Sequence, residues 1–239
     1  MKIEVLFHDV CGLYGDAQNV AYLKHTLPEA EFIETKLTQE PYFVSHTPDL
    51  ILIGSMSEKT QRRVIEKFRP YLERIRQLVA GGTVILATGN ACEIFCNHIT
   101  YETEKLEIDG LGLVDLNVRT NYFARYNGKV LGKTAGMEVV GFRSQFSFLY
   151  GDNQDNYFLE VERGVGINKD SKLEGFRVNN LMGTQLLGPI LPLNPLFCEY
   201  LIGLTGNEGV AACREAAMDA YTQRLKEFND PAVAFDEHH

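Results

Sequence analysis

The chain has 239 residues, of which 45% are hydrophobic and 23% charged. That balance allows a sizeable buried core and excludes a disordered, collagenous or low-complexity polymer. A formal net charge of −9, from 23 basic and 32 acidic side chains, excludes a general binder of nucleic-acid backbone, which needs clustered Lys and Arg.

Lys2 to Leu6 reads as a short buried strand. The N-terminal apolar stretch is interrupted by Glu4, His8 and Asp9, so it is not a signal peptide, and no apolar run approaches the roughly 18 residues of a membrane span. A cytoplasmic protein is expected. Asp16 to Leu27 carries Val20, Leu23, His25 and Leu27 near helical spacing and stops at Pro28. A second strand fits Glu31 to Leu37. Asp49-Leu-Ile-Leu-Ile-Gly54 is a continuous apolar run, the pattern of a parallel strand covered on both faces. Glu58 to Ala80 is an amphipathic helix that Pro70 should kink or split.

Gly81-Gly82 ends that helix. Thr83 to Thr88 is another buried strand, followed through Gly89-Asn90 by a helix expected from about Ala91 to His98. From Thr100 to Gly183 short β-rich runs take over, with Asn127-Gly128 as a type I′ hairpin signal. Pro195 to Phe228 returns to helix. The fold class is therefore α/β: an open parallel sheet flanked by helices, with a β-rich insertion. No tandem period and no Pro- or Ser-rich linker interrupts the chain, so one domain is expected over residues 1–228, followed by a polar tail over 229–239. His238 and His239 in that tail fit an expression-tag remnant and are set aside.

Five scattered cysteines, Cys11, Cys92, Cys96, Cys198 and Cys213, fit reduced thiols better than a disulfide framework. Cys92, Cys96 and His98 lack a second cluster to complete a zinc site, so no metal is expected. Gly164-Val-Gly166-Ile-Asn168 has neither the spacing nor the strand-to-helix context of a dinucleotide fingerprint, and no phosphate-binding G-x4-G-K-[ST] occurs. No cofactor is expected. Ligands of open parallel sheets bind where loops leave the carboxyl ends of the strands. Three loops meet that condition: His8 to Asn19, Gly54 to Lys59 and Thr88 to Cys92. Gly54, Ser55, Thr88, Gly89 and Asn90 are the candidate ligand contacts they supply.

Several motifs in this order resemble class I glutamine amidotransferases of the cobyric acid synthase type, in particular the glutaminase-subunit branch of lipid II isoglutaminyl synthase. Leu13-Tyr-Gly-Asp-Ala-Gln-Asn19 is similar to L-Y-G-D-x-G-N. Gly54 to Gln61 stands where that family has G-G-G-Q-D-x-x-Q, and Leu86 to Phe95 where it has the elbow A-x-C-G-G-Y-Q-x-L-G. Val140-Gly-Phe-Arg-Ser-Gln145 stands in the place of G-F-E-N-H, which adds Gln145 to the candidate ligand contacts. Gly183-Thr-Gln-Leu-Leu-Gly-Pro-Ile-Leu-Pro-Leu-Asn-Pro195 is similar to G-T-Y-L-H-G-P-L-L-P-x-N-P.

The resemblance implies a flavodoxin-like core, glutamine hydrolysis by a cysteine and a histidine, and delivery of ammonia to a synthetase partner of the Mur-ligase type. Carried over residue by residue, it puts Thr88 at the nucleophile position, Leu187 at the base position and Asp16 at the acidic position. A hydroxyl without a base is a poor nucleophile, and Leu187 moves no proton. Ser55 and Met56 also replace glycines where close backbone approach and an oxyanion donor are expected. Asp16, with Tyr14, Gly15 and Asn19, reads as a turn and helix cap, and the elbow as a relaxed turn. Cys92 reads as a small core residue and His98 as a surface or capping residue.

Two functions follow. One is an amidotransferase-like module without hydrolysis that binds a small amino-acid-like ligand or docks on a synthetase. The other is an active amidotransferase subunit that supplies ammonia, through substituted residues, to a cobyric-acid-synthase-like or Mur-ligase-like synthetase. It would need a Cys sulfur and a His nitrogen within hydrogen-bond distance beside the elbow. The aromatic middle region, including Tyr122, Phe123, Tyr126, Phe142, Phe146 and Phe148, is expected to form core and hairpin packing, with an apolar partner patch as the alternative.

Overall fold

Alternation between two core-facing sides explains the central sheet. In the computed structural model, which describes residues 1–237, the chain begins with β1 (Lys2–Leu6), α1 (Ala17–Thr26), β2 (Glu31–Thr35), β3 (Leu50–Ile53), α2 (Glu58–Phe68), α3 (Leu72–Ala80) and β4 (Val84–Thr88). β1 to β4 pair in parallel. On β3 and β4, Ile51, Ile53, Ile85 and Ala87 enter one hydrophobic cluster, while Leu50, Leu52, Val84 and Leu86 enter another. Burial on both faces is why these strands read as unbroken apolar runs. The turn over Arg69–Tyr71 that separates α2 from α3 contains Pro70, where the missing N–H interrupts the helical ladder.

The β-rich segment forms two further sheets from β5 (His98–Tyr101), β6 (Leu106–Asp109), β7 (Leu116–Thr120), β8 (Tyr126–Thr134), β9 (Met137–Gln145), β10 (Ser147–Gly151), β11 (Leu159–Arg163) and β12 (Leu173–Glu174). One sheet runs β10-β7-β5-β6 and contributes Ile99, Leu116, Val118 and Leu149 to the first cluster, with α2 and α3. The other is built on β12, β11, β8 and β9; its Val130, Val139 and Leu159 join the second cluster with Leu23 of α1. β13 (Phe176–Val178) and β14 (Leu181–Thr184) return to the central sheet, where β14 lies parallel to β4 and β13 forms an antiparallel edge. The sheet order is β13-β14-β4-β3-β1-β2, an open, mostly parallel sheet with added antiparallel sheets.

The remaining elements are α4 (Ile190–Leu193), α5 (Pro195–Gly203), α6 (Arg214–Asn229) and β15 (Asp236–Glu237). Asn194 joins α4 to α5 and is fully buried. Its side chain accepts from Val140 N and donates to Val140 O and Ile190 O, each at 2.8 Å. The Asn-Pro pair therefore fixes a helix entry against β9, with Pro195 at the first helical position where its absent N–H costs nothing.

Three local expectations are corrected. Asn127-Gly128 lies inside β8; the hairpin turns instead at Ala135-Gly136, where both residues take the positive φ of a type I′ turn, +47° and +77°. The segment after β4 is a short 3-10 helix over Gly89–Phe95, so His98 belongs to β5, where Nδ1 lies 3.0 Å from Asp109 Oδ1. The C-terminal helix is interrupted between Gly203 and Arg214. The polar C-terminal segment packs on the domain over residues 230–237: β15 pairs with β8 at Gly128, Phe235 packs on Phe228, and the Arg163 guanidinium bonds the carbonyls of Phe228, Asp230 and Val233. His238 and His239 lie outside the described residues. Among those described, no helix is long and apolar enough to cross a membrane.

Candidate functional site

The first and second candidate loops are stitched together at the carboxyl edge of the sheet. Gly12 N and Leu13 N both donate to Ser55 O, at 2.7 and 3.1 Å. Ser55 N donates to Asp16 Oδ2 at 2.8 Å, and Ser55 Oγ donates to Leu13 O at 2.8 Å. Gly54 permits this approach, since a Cβ there would lie 3.3 Å from Gly12 Cα.

Asp16 occupies the N-cap position of α1, yet its side chain caps nothing, contrary to the capping role expected. It accepts Thr88 Oγ1–H at 2.8 Å as well as Ser55 N–H. Burial raises the pKa of its carboxyl and these two bonds oppose the rise. Asn19, the other expected cap, accepts Leu191 N–H at 2.9 Å and so ties α1 to α4.

Thr88 ends β4 with φ −109° and ψ 152°, ordinary extended backbone. Its hydroxyl is committed to Asp16, and together with Gly54 and Asp16 it lines a small space of about 30 Å³. The residue in the left-handed conformation is the next one, Gly89, with φ +58°. A Cβ on Gly89 would lie 2.7 Å from Ser55 Cβ and 2.9 Å from Leu187 Cδ2. Gly89, and not Thr88, is therefore the elbow residue that faces Leu187. Leu187 is held there by a two-bond bridge to Phe142, with N···O distances of 2.7 and 3.2 Å. Neither Gly89 nor Leu187 can attack a carbonyl or carry a proton.

Beside this pair opens a cavity of about 140 Å³. Of the expected ligand contacts, Ser55, Gly89, Asn90 and Gln145 line it; Gly54 and Thr88 line the smaller space instead. Asn90 bonds both polar groups of Met56, accepting from its N at 2.9 Å and donating to its O at 2.8 Å.

Sequence reasoning missed the most polar feature of the cavity. Glu93 is 1% exposed and lines it. Its Oε2 accepts from Gln61 Nε2 at 2.8 Å; its Oε1 accepts from Gln185 Nε2 at 3.1 Å and from Ser147 Oγ. Gln61 is oriented in turn by the Tyr101 hydroxyl at 2.8 Å. Gln185 Oε1 accepts from the guanidinium of Arg143, which also donates to Gln145 Oε1 at 2.8 Å and to the carbonyls of Val165 and Gly166. Nearby Glu174, fully buried, accepts Thr184 Oγ1–H and Gln185 N–H, each at 2.8 Å. A carboxylate inside a run of apolar residues such as Ile94 and Phe95 is the one signal in the sequence that could have revealed Glu93, since buried acids are rare unless paired.

Burial lifts the Glu93 carboxyl from 4.5 to about 7, although the bonds from Ser147, Gln61 and Gln185 pull the other way. The folded state therefore holds this proton more tightly than the unfolded state, and the stabilisation it gives is complete below about 4.5 and lost as pH rises towards 7. Relative to Glu93→Gln, the unfolding free energy of the unaltered chain should fall over that interval by on the order of 3 kcal/mol, as read from urea denaturation at pH 5 and pH 8. Parallel profiles for the two proteins would show that Glu93 does not titrate there.

Four of the five cysteines are buried. Cys92 and Cys96 are fully buried and burial pushes both thiols well above their ordinary pKa, as expected of core residues. Cys11 contacts Met56 Sδ at 3.8 Å, and its thiol is pushed up to about 12. Among the described residues no cysteine hydrogen-bonds a histidine, and His8 is exposed.

Comparison with known proteins matches this architecture. The model of the CobB/CobQ-like glutamine amidotransferase domain matches residues 2–194. The chain is 24% identical over 198 residues to the GatD subunit of the glutamine-hydrolysing lipid II isoglutaminyl synthase of Staphylococcus aureus strain N315, covering 81% of this chain and 79% of that one. Among solved structures it is similar to a glutamine amidotransferase, with TM-score 0.55 and 16% identity over 86% of this chain and 99% of the other. It is also similar to PurLQS from Thermotoga maritima, with TM-score 0.53 and 12% identity over 94% and 98% of the two chains. Those two likenesses concern the fold. With an open parallel sheet, an elbow after its fourth strand and a family match across most of its length, the chain belongs to the CobB/CobQ-like glutamine amidotransferases.

Proposed function

We propose that this protein is an amidotransferase-like module that has lost glutamine hydrolysis and works by binding and docking. The observation that carries the reading is the pair at the elbow: Gly89, in left-handed backbone, faces Leu187 with no nucleophile or base on either side. Amide cleavage in this chemistry needs an activated thiol and a proton carrier. The hydroxyl of Thr88 does not substitute, since it points to the buried Asp16 and away from the 140 Å³ cavity. Ser55, Gly89, Asn90 and Gln145 are the contacts we assign to a small amino-acid-like ligand in that cavity.

The docking partner we assign is a synthetase of the Mur-ligase type, acting in the cytoplasm on cell-wall precursors, by analogy with the GatD subunit to which the chain is similar. An apolar rim supports a docking role: Leu13 and Tyr14 are exposed at the cavity mouth, and Phe123, 90% exposed, follows Asn121 and Tyr122, which bond and pack on Phe146. Exposed aromatics of this kind are enriched at protein interfaces. Incubated with glutamine, alone or with a co-purified synthetase, the protein should release ammonia at the rate of a buffer control. Release that disappears on Cys92→Ala or Thr88→Val would refute the reading.

A further inference from the structure

We propose that the cavity beside Gly89 binds a small primary amine, whose ammonium group pairs with Glu93 and whose short apolar body lies between Met56 and Leu187. The inference rests on the non-hydrolytic reading above and adds the chemistry of the ligand.

The argument starts from which polar groups are already satisfied. The Asn90 carboxamide is used at both ends by Met56. Gln185 accepts from Arg143 and donates to Glu93, while Gln145 accepts from Arg143 and donates to Ser147 O. These amides already bond the protein, so Asn90 and Gln145 can border the ligand but leave its charged group to Glu93. Glu93 accepts three bonds, whereas an ionised carboxylate has about four acceptor sites.

Charge leads to the same residue. The buried charged groups around Glu93 are Arg143 from β9 and Glu174 from β12, which interact with opposite sign. Arg143 is attracted to both carboxylates, to Glu174 more than to Glu93, so one cation faces two acids and the Glu93 carboxyl is only partly offset. The other titratable groups near it are Tyr101, Cys92 and Glu58; none is cationic, and Glu58 lines the same cavity. Among the described residues, no Lys, Arg or His lines it. A buried carboxylate without a full counter-charge is costly, so either a proton or a ligand cation completes the balance. An anionic ligand would meet two carboxylates and no cation.

Size and apolar lining set the rest. The volume of about 140 Å³ is close to the ~150 Å³ of a cavity that takes up benzene, room for roughly six non-hydrogen atoms. Met56 and Leu187 are 2% and 4% exposed and supply apolar contact for a short carbon chain.

Titration calorimetry of the intact chain with n-butylammonium chloride and with sodium butyrate, at pH 6 and pH 8, tests this. Butylammonium should bind saturably and butyrate should not. Amine affinity should be about tenfold higher at pH 8, where Glu93, titrating near 7, is ionised. Glu93→Gln should weaken amine binding at least tenfold at pH 8 and flatten its pH dependence. If that variant does not fold, the pH comparison and the butyrate control on the unaltered chain still decide. No saturable amine binding, equal binding of butyrate, or an affinity indifferent to pH would overturn the inference. Ammonia release from glutamine, measured separately, tests the loss of hydrolysis and leaves the amine result to stand or fall alone.

Discussion

Arg143→Ala should cost the fold about 3–5 kcal/mol, the range found when one partner of a buried charged network is removed. Arg143 is 1% exposed, and its guanidinium joins four acceptors: Gln145 Oε1, Gln185 Oε1 and the carbonyls of Val165 and Gly166. Of these, Gln185 Oε1 has a second side-chain donor, Gln145 Nε2 at 3.4 Å. Truncation removes the guanidinium donor from these buried and half-buried acceptors and the cation that offsets Glu174. Each unsatisfied group costs about 1–3 kcal/mol. The loss should also reach the cavity, because Gln145 and Gln185 line it. Urea unfolding of the variant checks the magnitude; a cost below about 1 kcal/mol would mean that water enters and replaces the guanidinium.

Attempts to restore the enzyme should fail in two different ways. Thr88→Cys with Leu187→His installs both missing groups where the sequence resemblance puts them, yet Thr88 faces Asp16 and not the Leu187 side of the elbow. This double variant should stay at background glutaminase activity. Gly89→Cys with Leu187→His puts the thiol on the residue that does face position 187. There the new Cβ would lie 2.7 Å from Ser55 Cβ, and a side chain must adopt φ +58°. Left-handed backbone costs roughly 1–2 kcal/mol and overpacking about 1–3 kcal/mol more, so this protein should be destabilised by about 2–5 kcal/mol and remain inactive. Ammonia release and thermal unfolding distinguish the two outcomes. Activity regained by the first variant would mean that Thr88 can turn towards the cavity.

The central sheet was legible because each of its inner strands is an apolar run closed by a turn signal, and because Pro70 can only interrupt a helix. At the elbow the sequence reading and the structure differ by one residue. Thr88 and Gly89 are adjacent, and strand ends are uncertain by a residue or two; the choice between them depends on which one adopts left-handed backbone, a conformation that glycine takes without penalty. Asp16 was misread because Asp before a helix usually caps it, whereas here the long-range bond to Thr88 prevails. Glu93, Arg143 and Glu174 were invisible as core residues because their types are ordinarily solvated, and their partners lie far away in the sequence: Gln185 is 92 residues from Glu93. Asn127-Gly128 carried the right composition for a hairpin, but nine residue pairs of register between β8 and β9 moved the turn to Ala135-Gly136.

The mass of the intact chain after incubation with a glutamine-like diazo ketone tests the central claim most directly. With Gly89 and Leu187 at the elbow and Cys92 sealed in the core, the mass should remain that of the unmodified polypeptide. A stoichiometric adduct on any cysteine, blocked by prior addition of glutamine, would contradict the account.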